Sequence, residues 1–179
     1  MKVTIIRHGK VNMQWQKTYN AEKFDIACAR YDASHIVPII EKKDEKIDCP
    51  IYISQLMRTY ETAEQLFGQR DFTITELLNE VPLRSFRHTI FNYPIWIWNV
   101  LGRMQWLFHN KHQLEIRKDT IKRAASMVSI VEEKNVDCIL VTHGFFMRTL
   151  IKEFKRRGYC IARTGRFGIS NLESIVVIR

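Results

Sequence analysis

Long apolar runs are missing from this chain of 179 residues. The most apolar stretch, 90–108, is interrupted by Asn92, Pro94, Asn99, Arg103 and Gln105. A membrane-spanning helix needs about 20 mostly apolar residues, so no transmembrane segment is expected. Glycine and proline are scarce, at seven and four residues, which excludes collagen-like and low-complexity architectures. There are four cysteines, Cys28, Cys49, Cys138 and Cys160, and no two form a C-x-x-C pair. That spacing predicts reduced thiols in a cytoplasmic protein, with no disulfide framework. The apolar start stops at Arg7, short of the about 7–15 apolar residues of a secretion signal. The G-x-x-x-x-G-K-[ST], G-x-G-x-x-G and G-x-S-x-G patterns are also absent.

Acidic residues are short in one half only. Residues 1–90 carry 13 basic and 12 acidic side chains, whereas residues 91–179 carry 15 and 7. Almost all of the +9 formal charge therefore lies beyond residue 90. A basic surface attracts anions: phosphorylated metabolites, nucleic acid or acidic lipid. The length suits one domain, 1–179, and ten Phe, six Tyr and four Trp supply a core.

Short β-branched runs alternate with helical periodicity. Val3-Thr4-Ile5-Ile6, Ile51-Tyr52-Ile53, Phe72-Thr73-Ile74-Thr75, Cys138-Ile139-Leu140-Val141-Thr142 and 173–178 read as strands. Helices are predicted over 21–33, from about Leu56 to a stop at Gly68, along Ile116–Val131, and from Phe146 to near Gly158. Ser54 stands where the cap of the second helix belongs. The charged run 41–48 reads as loop or frayed helix, and 81–113 has no clean period. Strands separated by helices predict an α/β fold: a three-layer α/β/α sandwich around a mostly parallel sheet. Ligands bind such sheets beyond the carboxyl ends of the strands. Arg7-His8-Gly9, Ser54 and Thr142-His143-Gly144 occupy those ends.

Two apolar strands thus end in His-Gly. The glycine allows a sharp turn and close approach of the backbone to a ligand. A lone strand-end histidine is more often structural than functional, but two at equivalent positions, one beside an arginine, point to a site.

These residues resemble the histidine phosphatase superfamily, the phosphoglycerate-mutase-like fold, in its branch with small bacterial phosphatases. Arg7-His8-Gly9 is similar to its first motif, and the stretch from Ser54 through Arg58-Thr59 and Glu61-Thr62-Ala63 to its second. Leu77-Leu78-Asn79-Glu80 resembles the segment carrying its acid, and Thr142-His143-Gly144 its last motif. All four stand in family order. The resemblance implies a phosphomonoester hydrolase in which His8 is the nucleophile and forms a phosphohistidine. It implies that Arg7 and Arg58 clamp the phosphate, as planar, permanently charged, bidentate donors can. His143 is expected as an imidazolium beside the phosphate, and Glu80 as the acid for the leaving alcohol and base for water. Glu76 is the other carboxylate in that loop. Thr59 is expected to support the helix start. Lys10 stands where an acidic or small residue is more usual. The family mechanism needs no metal and no cofactor. His109 and His112, three apart, lack a third ligand and read as surface.

The segment 81–113 lies where the family's insertions cover the site. It is expected as an aromatic lid, with core packing, a homodimer contact or a membrane-surface contact as alternatives. Trp96, Trp98, Asn12, Arg84 and Arg87 are the candidate substrate contacts, the two arginines reading a second anionic group. The expected partner is a small phosphorylated substrate. A phosphoglycerate-type mutase is the alternative activity, but the chain lacks room for the substrate-holding material of mutases. Arg148, Lys152, Lys155, Arg156, Arg157, Arg163 and Arg166 could contact nucleic acid, yet no binding module accompanies them, so no specific nucleic acid is expected. A non-catalytic regulatory module is opposed by the intact motifs.

Overall fold

The computed structural model describes residues 1–40, 48–162 and 168–179. Strand β1 (Lys2–Arg7) is central, where its β-branched residues are covered on both faces. It pairs in parallel with β6 (Cys138–Thr142), which pairs in parallel with β3 (Ile51–Ile53), and that in turn with β4 (Thr73–Ile74). On its other side β1 pairs antiparallel with β8 (Ser174–Ile178), and β7 (Cys160–Ala162) closes the order β4-β3-β6-β1-β8-β7. The sheet is therefore mixed and mostly parallel, as the alternating elements predict.

Alternation along the strands divides the core. Val3, Ile5, Cys138 and Leu140 face α4 (Arg117–Lys134) and α5 (Gly144–Arg156), through Ala124, Met127, Val128, Phe146, Leu150 and Phe154. Ile6, Ile51, Ile53, Ile139 and Val141 face Ala63, Leu66 and Phe67 of α2 (Met57–Phe67). A third cluster joins α1 (Ala21–Ala33) to α3 (Ile95–Leu107): Phe24 stacks on Trp98, with ring centroids 5.3 Å apart. A two-stranded ribbon of β2 (Thr18–Tyr19) and β5 (Tyr93–Pro94) leads into α3.

The segment without clean period thus contains a helix of 13 residues. Its pattern is blurred because it is apolar on two sides. Trp98 and Gly102 are buried, while Trp96, Val100, Met104 and Phe108 are exposed. Two-residue β2 and β5, and the β7 edge strand, carry too few residues for a period. Among the described residues no helix is long and apolar enough to cross a membrane. The charged run at 41–47 and the cluster's Arg163 and Arg166 lie outside the described residues. Two other members of that cluster are paired internally: Arg156 and Arg157 with Glu153, and Arg157 also with Glu132. Glu153 is held down to about 2 chiefly by its hydrogen bond from Arg156.

Candidate active site

Register builds the site. In the parallel β1–β6 ladder Arg7 lies opposite Thr142, and the ladder continues as the His8 N–H donates to the Thr142 carbonyl at 2.9 Å. The two His-Gly ends therefore lie side by side. The rings of His8 and His143 are 5.0 Å apart between centroids. Both are buried, His8 at 2% and His143 at 0% exposure.

Each ring has a defined tautomer. His8 Nδ1 lies 2.7 Å from the Gly9 carbonyl, which can only accept, so Nδ1 carries the proton. Nε2 is left with its lone pair. Burial, and then the positive charge of Arg58, push the His8 imidazole down to about 3, against a weaker opposing pull from the Gly9 carbonyl. The ring is thus neutral and nucleophilic across the physiological range. His143 Nδ1 accepts from Arg58 Nε at 3.1 Å, so its proton sits on Nε2 and is donated to Ser54 Oγ at 2.7 Å. Full burial, and next the Arg58 charge, hold His143 well below its ordinary value. The imidazolium expected from sequence is thus a neutral imidazole here. A cation without a carboxylate partner is costly to bury, and Arg58 already occupies the only acceptor nitrogen.

Arg58 is wholly buried on the first turns of α2. Its Nη1 donates to Asp32 Oδ1 at 3.0 Å, and its guanidinium lies 5.1 Å from the centre of the Tyr31 ring. Its Nη2 is buried and meets no acceptor. Arg7 repeats the arrangement: one amino group donates to the Ile169 carbonyl, while Nε is buried without an acceptor. A buried N–H left unpaired costs about 1–3 kcal/mol. Two arginines that each leave one buried donor unpaired, both close enough to act on the His8 imidazole, make the surroundings of that ring favourable to an anion.

The second motif holds the cluster together. Thr59 Oγ1 lies 2.8 Å from Ser54 Oγ and donates to the Leu56 carbonyl, which ties the β3 end to the start of α2. Ser54 does not cap that helix: its cap residue is Leu56, with no side-chain hydrogen bond, and Ser54 Oγ receives His143. Glu61 accepts the Ile36 N–H at 2.9 Å and pairs with His35. Thr62 Oγ1 accepts the Gly9 N–H at 2.9 Å and donates to the Arg58 carbonyl at 2.5 Å. From the opposite side Asn171 Nδ2 donates to the His8 and Gly9 carbonyls at 3.0 and 3.2 Å.

Glu80 sits at the start of α5. Its carboxylate accepts N–H groups from Val81, Phe146 and Phe145 at 2.9, 2.8 and 3.1 Å. A carboxylate has about four acceptor positions, so one remains for a substrate proton. Glu80 and Arg58 both line a cavity of about 500 Å³. Glu76 lines it as well.

The family model of the histidine phosphatase superfamily (branch 1) matches residues 3–179. The chain belongs to this superfamily. Its fold is similar to that of a phosphoserine phosphatase mutant from Entamoeba histolytica, solved in complex with phosphoserine. Identity is 17%, with TM-score 0.62, covering 98% of this chain and 89% of that one. It is also similar to the mycobacterial glucosyl-3-phosphoglycerate phosphatase, at 16% identity and TM-score 0.58, covering 98% and 88% of the two chains. The product of a Mycobacterium tuberculosis open reading frame gives 16% and 0.61, with 98% and 89% covered. No curated protein matches the sequence significantly.

Within this histidine phosphatase the motif residues His8, Arg7, Arg58, His143 and Glu80 come together as their spacing and family order imply. The outer residues do not. Trp98 is fully buried against Phe24 and Phe86, with its indole N–H on the Tyr19 carbonyl, and Trp96 points outward at 62% exposure. Neither lines the cavity. At about 100° per residue Trp98 is turned well away from Asn99 and Arg103, which line the cavity, whereas Trp96 shares their side of α3 but stands exposed at its first turn, outside the cavity lining. Asn12 borders a different pocket, beside Met13 and Arg30. Arg87 lies over the rings of Phe86 and Tyr93, and the Arg84 backbone pairs with Gln113. Most of the cavity lining was not legible, Trp15, Tyr31, Asp32, Arg103 and Arg123 among it. The only signal for Tyr31 and Asp32 was their place on a predicted helix, since no motif includes them.

Proposed function

We propose that this chain is a phosphomonoester hydrolase that works through a phosphohistidine on His8. One observation carries the reading: His8 Nε2 has its lone pair free while Arg7 Nε and Arg58 Nη2 are buried donors without acceptors. A phosphoryl group on Nε2 would lie in the field of both guanidinium groups.

The first step forms a bond from His8 Nε2 to phosphorus as the bond from phosphorus to the alcohol oxygen breaks. Charge on the equatorial oxygens is met by Arg7 and Arg58. Protonated Glu80 gives its proton to the departing oxygen. In the second step Glu80, now a carboxylate, takes a proton from water as the water oxygen attacks phosphorus. The P–N bond breaks, and phosphate and neutral His8 are released. His143 takes no proton in this scheme. Its Nδ1 orients Arg58, its Nε2–H is fixed by Ser54, and its ring packs against His8. Segment 81–113 forms a wall of the substrate cavity through Val81, Pro82, Leu83, Asn99 and Arg103.

The test is release of phosphate from an aryl phosphate, with rapid acid-free quenching to trap phosphohistidine. Wild type is expected to give an acid-labile, base-stable phosphoprotein, and His8→Ala to lose both turnover and label. Label retained in His8→Ala overturns the assignment. Isomerisation of a phosphoglycerate without phosphate release would make the chain a mutase instead.

A further inference from the structure

The cavity beyond the phosphate position has its own chemistry. Its wall next to Arg58 is aromatic. Tyr31 lies under the Arg58 guanidinium at 5.1 Å, and Trp15 lies against Tyr31 with ring centroids 5.3 Å apart and planes inclined by 37°. Leu56, Val81, Pro82, Leu83 and Cys28 complete an apolar surface around them. Burial raises the Cys28 thiol to about 12, so this side chain is an uncharged lining group.

The charged groups of the wall are mostly occupied or acidic. Arg123 is bonded to both Glu115 oxygens at 3.0 Å and to the Asn79 carbonyl at 2.7 Å. Arg103 donates to the Val81 carbonyl at 3.0 Å and lies 3.8 Å from the centre of the Phe145 ring. Arg58 belongs to the phosphate. Four carboxylates line the same wall, and two of them are the partners of these guanidinium groups: Asp32 of Arg58 and Glu115 of Arg123; Glu76 and Glu80 are the others. A second anionic group on the substrate would find Arg58 and Arg123 already paired with carboxylates, Arg103 bonded to a backbone carbonyl and lying over Phe145, and Glu76 on the same wall. Arg84 and Arg87, expected from the sequence to read such a group, do not line the cavity.

We infer that the enzyme selects phosphate monoesters of uncharged alcohols with a flat apolar or aryl body, seated against Tyr31 and Trp15, and discriminates against alcohols bearing a second anion. This rests on the hydrolase reading above. Aromatic contact and burial of a phenyl-sized group supply selectivity of one to two orders of magnitude.

Three alkyl esters test it without large differences in leaving-group chemistry: benzyl phosphate, glycerol 3-phosphate and 3-phosphoglycerate. Expected kcat/KM for benzyl phosphate exceeds that for 3-phosphoglycerate by about thirtyfold. Trp15→Ala is expected to lower the benzyl-to-glycerol ratio about tenfold, mainly through KM, and Trp15→Phe to restore most of it. Equal rates on all three esters, preference for 3-phosphoglycerate, or a ratio unmoved by Trp15→Ala overturn the inference. Calorimetric binding of benzylphosphonate against 3-phosphonopropionate reads the pocket independently of turnover. No phosphate release from any ester, with benzylphosphonate still the tighter ligand, rejects the hydrolase reading and keeps the pocket assignment. Tighter 3-phosphonopropionate rejects the pocket assignment itself.

Discussion

Arg58 donates through Nε to Nδ1 of His143 at 3.1 Å, and this bond requires a neutral imidazole. His8, beside it, is neutral for related reasons: burial first, then the same guanidinium. In the unfolded chain both histidines titrate near 6.5. Below that value the unfolded state binds protons that the folded state refuses. Their contribution is therefore fully present above about pH 6.5 and is lost as pH falls toward the folded values. At pH 5.5 the loss is about 1.4 kcal/mol for His8, with a loss of the same sign for His143. Urea denaturation at pH 7.5 and 5.5 checks this. His8→Ala should lose about 1.4 kcal/mol less than wild type between the two pH values. An equal loss would mean that His8 is protonated in the fold. In the same vein, kcat/KM of the free enzyme should show no acid limb near 6.5 arising from His8.

Glu80 is held by three backbone N–H groups, so its orientation depends on acceptor oxygens that glutamine only half supplies. Glu80→Gln should slow benzyl phosphate by two orders of magnitude or more, in line with loss of a general acid–base. It should slow 4-nitrophenyl phosphate far less in the phosphorylation step, because that leaving group needs no proton. Stopped-flow bursts separate the two steps. A uniform loss across leaving groups would make Glu80 a positioning residue.

Gly144 is needed for the space it leaves. A Cβ built there would lie 2.8 Å from Arg7 Nε and 2.9 Å from Arg7 Cζ. Gly144→Ala must displace the Arg7 guanidinium, proposed above as one of the two phosphate clamps. We expect kcat/KM to fall at least tenfold while the circular dichroism spectrum is kept, with phosphate inhibition weakened in parallel. Unchanged phosphate affinity would show that Arg7 is not a clamp.

Trp98 stands apart from the chemistry. It is fully buried, stacked on Phe24, with its indole N–H on the Tyr19 carbonyl. Trp98→Ala should cost about 3–5 kcal/mol of stability. Trp96→Ala, at an exposed position, should stay within about 0.5 kcal/mol of wild type. Paired thermal melts distinguish them.

The elements that were legible are those whose residues obey one period. The predicted helix over 21–33 matches α1, and the strands at 51–53 and 138–142 match β3 and β6. The clustering of His8, Arg7, Arg58 and His143 was legible because strand ends and short motifs bring these residues together by topology. The cavity wall was not, because Trp15, Tyr31, Arg103 and Arg123 come from four separate segments and meet only in the folded chain. The aromatic residues of 90–108 drew attention by composition. Composition does not say where on a helix each residue ends up: Trp98 is turned into the core, and Trp96, at helical spacing with Asn99 and Arg103, stands exposed at the first turn outside the cavity lining.

The parallel pairing of Arg7 with Thr142 has a consequence for how the chain can fail. Successive residues of a strand point to opposite faces, so a slip of one position between β1 and β6 inverts every side chain of one strand relative to the other. Such a slip would carry His8 away from His143 and turn Ile5 and Ile6 toward the wrong layers at once. Loss of activity and loss of core packing are thus the same event for this pair of strands. Turnover is then a proofreading signal for assembly: a molecule that hydrolyses its substrate has threaded its central strands correctly.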